Sequence, residues 1–175
     1  MFRSKTGSLR KRLKNVHFEF VDPPFTSKHE SIGEGLSWYE FSTVGEDEVK
    51  WSRFDESLQY ISEGACVAAL LSVLRERDSL PPPVQFQFVW LFSGFCPKDP
   101  EWRKLCLETQ VARVRKISSV HVIGETDQII SPQRSTEAAG IFTDSVIIRH
   151  EKGHLVPSDK KISDGLLSFL EAHTS

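Results

Sequence analysis

The chain has 175 residues, 39% of them hydrophobic and 26% charged, with a formal net charge of −2. That length suits one domain able to bury a core, and the near-neutral balance excludes a strong field for nucleic acid or for a membrane surface. Three cysteines, Cys66, Cys96 and Cys106, share no CxxC spacing and no pairing logic. They point to a reducing compartment with idle thiols, the cytoplasm first and the nucleus second, and no metal or other cofactor is expected.

Met1–Asn15 holds Arg3, Lys5, Arg10, Lys11, Arg12 and Lys14 but no apolar run of the kind a secretory signal needs. A nuclear or mitochondrial address is one reading of these basic residues. An amphipathic helix is the preferred one, because Leu9, Leu13 and Val16 recur at helical spacing and leave the basic residues on a solvated face. No apolar stretch approaches the roughly 20 residues of a membrane span.

His17-Phe18-Glu19-Phe20-Val21 alternates and predicts a strand, stopped by Pro23-Pro24. Residues 25–53 read as a long irregular loop with Gly33, Gly35 and Gly45, carrying Phe25, Trp38, Tyr39, Phe41 and Trp51. Those aromatics either line an apolar pocket or, the preferred reading, anchor the loop to the core. Residues 54–77 predict a helix whose second half is apolar on most sides, closed by Arg75-Glu76-Arg77 and barred from continuing by Pro81-Pro82-Pro83.

The rest is regular. Gln85–Phe92 predicts a strand covered on both faces and ending at Ser93-Gly94. Residues 100–116 are partly helical, and residues 119–123 form a second strand. Ser131-Pro132 caps a helix that Gly140 stops. Residues 145–149 form a third strand, and Pro157 opens a last helix. Strands alternating with helices imply a parallel sheet with right-handed crossovers, and in such sheets the chemistry lies at the carboxyl ends of the strands.

Three residues stand out for chemistry. Ser62 opens Ser62-Glu63-Gly64-Ala65, a serine followed by small residues and a buried apolar run. Asp127 follows the second strand in Gly124-Glu125-Thr126-Asp127, and His154 follows the third in Gly153-His154-Leu155-Val156-Pro157. The order Ser, Asp, His is that of α/β-hydrolases. A serine hydroxyl is a weak nucleophile until a histidine takes its proton, and a carboxylate must orient that histidine and stabilise its charged form.

Phe2-Arg3-Ser4-Lys5-Thr6-Gly7, Phe92-Ser93-Gly94-Phe95, His121-Val122-Ile123-Gly124-Glu125-Thr126-Asp127 and Gly153-His154-Leu155-Val156-Pro157 together resemble the FSH family of serine hydrolases over nearly the whole chain. The resemblance implies an α/β-hydrolase fold and hydrolysis of carboxylic esters, long-chain ones in some members. It makes Ser62 the nucleophile, Asp127 the acid and His154 the base.

The family pattern also has a strand and an oxyanion loop ahead of the Phe-Arg segment, and a Gly-Phe-Ser-x-Gly-Ala elbow strand. Here Tyr60-Ile61 precedes Ser62, and the chain opens at Met1-Phe2. Lys152 stands where the family often has a second glycine. The expected fold is therefore a truncated α/β-hydrolase three-layer sandwich over residues 1–175, its mostly parallel sheet lacking two central strands. Losing one oxyanion donor costs about 10²–10³ in turnover. The expectation is an esterase by lineage, acting on a small-molecule ester, that labels weakly with a fluorophosphonate. The alternative is a catalytically inactive splice variant, partial gene product or pseudoenzyme with at most a binding role. A nucleic-acid binder fits neither the charge nor the short basic stretch, and the oligomeric state is left open.

Overall fold

The computed structural model describes residues 7–12, 25–29, 33–37, 40–43, 49–52, 65–80, 85–97, 100–157 and 159–173. Its elements are α1 (Gly7–Arg12), β1 (Phe25–His29), β2 (Gly33–Ser37), β3 (Glu40–Thr43), β4 (Val49–Ser52), α2 (Ala65–Glu76), β5 (Phe88–Phe92), α3 (Pro100–Ala112), β6 (Ser118–Gly124), α4 (Pro132–Ala139), β7 (Ser145–His150) and α5 (Lys160–His173). The strand expected at residues 17–21 and the first part of the helix expected from residue 54 lie outside the described residues.

β5, β6 and β7 form a parallel sheet with β6 in the middle. The register sets Trp90 beside Val120 and Val120 beside Val146, so alternate residues share a face across all three strands. Val89 and Leu91 point to one face and pack with Val67, Leu70, Leu71 and Val73 of α2. Phe88, Trp90 and Phe92 point to the other, where Val120 and Val122 meet Ile162, Leu166 and Phe169 of α5. Helices thus cover both faces, and the expected α/β three-layer arrangement is present. Among the described residues, β5 pairs on one side only, with β6.

The loop of residues 25–53 and the start of α5 differ from the sequence expectation. Residues 25–53 are not one irregular loop: β1 pairs with β2 and β3 with β4 as two antiparallel hairpins. Short segments rich in Ser, Thr, Val and aromatic residues meet their backbone hydrogen bonds locally in this way. α2 ends at Glu76, within one residue of the expected end, where Asp78 turns left-handed at φ 54. The Ser79 N–H then reaches the Leu74 carbonyl at 2.9 Å, closing the helix end. α5 begins at Lys160 rather than at Pro157, with the Asp159 carbonyl accepting from both the N–H and the hydroxyl of Ser163.

The α4 start matches its sequence signal. Ser131 is the N-cap, its hydroxyl accepting from the Arg134 N–H, with Pro132 in the first turn. Gly140 ends that helix in a right-handed conformation, its N–H shared between the Thr136 and Glu137 carbonyls.

Candidate functional site

Each parallel strand delivers one polar residue just beyond its carboxyl end. β5 ends at Phe92 and is followed by Ser93; β6 ends at Gly124, three residues before Asp127; β7 ends at His150, four before His154. Residues 34 and 27 apart in sequence meet there because parallel neighbours end level with one another.

Asp127 is the hub. Its side chain is 1% exposed, and its two oxygens divide the work. Oδ1 accepts the main-chain N–H groups of Ile129 and Ile130, both at 2.9 Å. Oδ2 accepts the Ser93 hydroxyl at 2.7 Å and pairs with His154 Nδ1 at 2.9 Å. Burial pushes the carboxyl pKa up, but the bonds from Ile130, Ser93, His154 and Ile129 outweigh it and hold it below the ordinary value. Asp127 is therefore a carboxylate that can only accept, which puts a proton on His154 Nδ1. The proton-accepting capacity of the ring is left to Nε2. The His154 side chain is 40% exposed, so the ring reaches solvent while its orienting bond does not.

The loop carrying His154 folds closely over the end of β6. A Cβ on Gly124 would stand 2.5 Å from the Lys152 carbonyl oxygen and 2.7 Å from that of Gly153. Only a residue without a side chain allows that approach. Thr126 Oγ1 donates to the Glu151 carbonyl at 3.0 Å, and Lys152 Nζ reaches both Asp159 oxygens at 3.2 and 3.0 Å. Lys152 is not among the residues with positive φ, so its backbone makes no demand for the glycine that the family often carries there.

Of the three residues singled out in the sequence, the structure brings Asp127 and His154 together. Ser62 lies outside the described residues; α2 begins three residues after it in sequence. Ser93 was not singled out as a site residue. Its signal was its place between a strand and Gly94, and its role depends on a partner far along the chain. Its hydroxyl is committed to the carboxylate and the residue is 5% exposed, which suits a support rather than a nucleophile. The three cysteines are free and buried. Among the described residues no group of His, Cys, Asp and Glu could hold a metal ion, and no helix is long and apolar enough to cross a membrane.

A family model described as Serine hydrolase (FSH1) matches residues 61–166. Esterase OVCA2 of Homo sapiens is 32% identical over 118 residues, covering 67% of this chain and 49% of the relative. The chain thus spans about half the length of that protein. Esterase C25G4.2 of Caenorhabditis elegans is 28% identical over 195 positions, covering 97% of this chain and 86% of the relative. That alignment is longer than the chain, so the nematode protein carries residues with no counterpart here. Among solved structures, acyl-protein thioesterase 2 of Zea mays matches with a TM-score of 0.54 at 13% identity, over 82% of this chain and 74% of that one. The last is a likeness of fold alone. The family match takes in Ser62, both loops of the Asp127–His154 pair and the strands that present them, and by it the chain belongs to the FSH1 family of serine hydrolases.

Proposed function

We propose that the chain is one α/β-hydrolase domain that hydrolyses a small-molecule carboxylic ester, short- or long-chain, through Ser62, His154 and Asp127. The observation that carries the reading is the bond from His154 Nδ1 to a buried, four-times hydrogen-bonded Asp127. Asp127 fixes the ring and stabilises its charged form. His154 Nε2 takes the Ser62 hydroxyl proton as the serine oxygen attacks the ester carbonyl, and returns it to the departing alcohol. Water, activated by the same nitrogen, then cleaves the acyl-serine. The Glu63 N–H, next after the nucleophile, is the oxyanion donor this family logic assigns. Three free buried thiols fit a reducing, cytoplasmic setting.

A second reading is a catalytically silent product of the same lineage. The specific support for it is the length mismatch with the nematode esterase, together with a family match that begins one residue before Ser62. A fluorophosphonate probe separates the two. Labelling of the folded protein that disappears in Ser62→Ala, with ester turnover falling at least about 10³-fold, supports the esterase. Folded protein that stays unlabelled selects the silent reading.

A further inference from the structure

The loop that presents His154 begins with a second histidine that the mechanism does not use. His150 is the last residue of β7, lies beside Gly124 in the sheet, and is 8% exposed. Its carbonyl accepts the Glu125 N–H at 2.8 Å, which ties the two strand ends together. Its ring Nδ1 accepts the Lys152 N–H at 3.2 Å. A ring nitrogen that accepts from an amide carries a lone pair, so the proton of this imidazole is on Nε2. Among the described residues, that buried Nε2 has no hydrogen-bond partner. The ring also stands against the β6 exit, its Cε1 3.1 Å from where a Cβ on Gly124 would be.

We propose that His150 is a positioning residue, whose neutral ring shapes the turn from His150 to His154 and so holds His154 against Asp127. The proposal rests on the reading of His154 as the base. Its physical core is a donor–acceptor match. With Nδ1 unprotonated, the Lys152 N–H has a buried acceptor and the turn closes. A proton on Nδ1 sets a donor against a donor and opens it.

The charged groups acting on the ring come from both loops: Asp159 and Lys152 from the His154 side, Asp127 and Glu125 from the β6 side. Burial disfavours the charged ring first, Asp159 opposes that, Lys152 adds to it, and Asp127 and Glu125 oppose it. The balance keeps the pKa below the ordinary histidine value, which suits a ring that works as a neutral acceptor.

The test is an NMR titration of the full chain that needs no turnover. Its readouts are the proton on His154 Nδ1, seen as a downfield resonance from the bond to Asp127, and the exchange rate of the Lys152 amide. Three chains are compared. His150→Asn keeps an acceptor near the Nδ1 position but cannot titrate. His150→Phe keeps the ring and removes the acceptor. The expected result is that His150→Phe exchanges Lys152 about tenfold faster and loses the downfield resonance, while His150→Asn keeps both. On acidification the native chain should lose both signals, and His150→Asn should lose them later. If His150→Phe fails to fold, the acid comparison between the native chain and His150→Asn decides alone. Unchanged signals in His150→Phe, or the same acid loss in His150→Asn, overturn the proposal. Fluorophosphonate labelling of the same samples reports on the esterase reading separately, so that reading can fail while the His150 result stands.

Discussion

Asp127 shows how a carboxylate in a protein interior is kept charged and aimed. Two donors are main-chain groups of its own turn, and two come from other strand ends. Ser93 is the informative one to remove. It sits at φ 50, where alanine is as strained as serine, so Ser93→Ala isolates the hydroxyl. Losing a hydrogen bond to a charged group should cost about 1.5–3 kcal/mol in a urea titration at pH 7. The acid limb should also move. A carboxyl whose folded pKa is depressed contributes stability above its unfolded value of 3.8 and loses it as pH falls through the folded pKa. With one bond fewer, the depression shrinks, so in the variant that loss is smaller and is complete at a higher pH.

His121 makes the opposite use of burial. It is 1% exposed on the central strand, its Nε2 beside Ser119 Oγ and its ring edge-on to Phe142. Burial pulls its pKa from 6.5 to about 4. The unfolded chain therefore takes up a proton that the folded chain refuses, and stability falls as pH drops from 6.5 towards 4. The total is about 3 kcal/mol. Urea midpoints at pH 7 and 4.5 should differ strongly in the native chain and much less in His121→Leu.

At the scale of elements, α2 is held at its end by a residue that prefers not to be there. Asp78 is left-handed at φ 54, and its carboxylate meets Lys116 Nζ in an exposed pair worth little. Asp78→Gly relieves the strain at small electrostatic loss and should stabilise the fold by about 0.5–1 kcal/mol, read as a raised Tm. This helix end also marks what the sequence could tell. The strands β5, β6 and β7 were legible because each is a dense apolar run, and the α4 start because Ser131-Pro132 is a direct chemical signal. The α2 end was legible from Arg75-Glu76-Arg77 and the prolines beyond, but the turn at Asp78 was not, because an aspartate in the left-handed region looks like any other aspartate. The hairpins of residues 25–52 were hidden for a related reason: glycines break the two-residue alternation, and pairing partners rather than side chains fix the strands. Asp127 and His154 were legible as strand-end residues. Ser93 and His150 were not, since each takes its meaning from a contact across the sheet.

For the whole molecule, the two apolar clusters on either side of the sheet fix β6 between helices of both layers. The loops that carry Asp127 and His154 both spring from this part, at the ends of β6 and β7. Among the described residues, the contacts that place Asp127 and His154 relative to each other lie within residues 93–159: the Ser93 bond, the main-chain donors, the Glu125–His150 bridge and the Lys152–Asp159 pair.

The close seating of the Lys152 and Gly153 carbonyls on Gly124 has a mechanical consequence. The end of β6 and the His154 loop meet backbone to backbone, with the Glu125 N–H on the His150 carbonyl at 2.8 Å, so a shift of one presses directly on the other. Gly124→Ala forces a methyl into space bounded by two carbonyl oxygens. It should cost about 1–3 kcal/mol and extinguish the downfield His154 resonance, whereas Ser62→Ala should leave that resonance intact. The Asp127–His154 pair is thus a prefabricated unit. On the proposed mechanism, a change at Ser62 can silence the chemistry without dismantling the pair that would assist it.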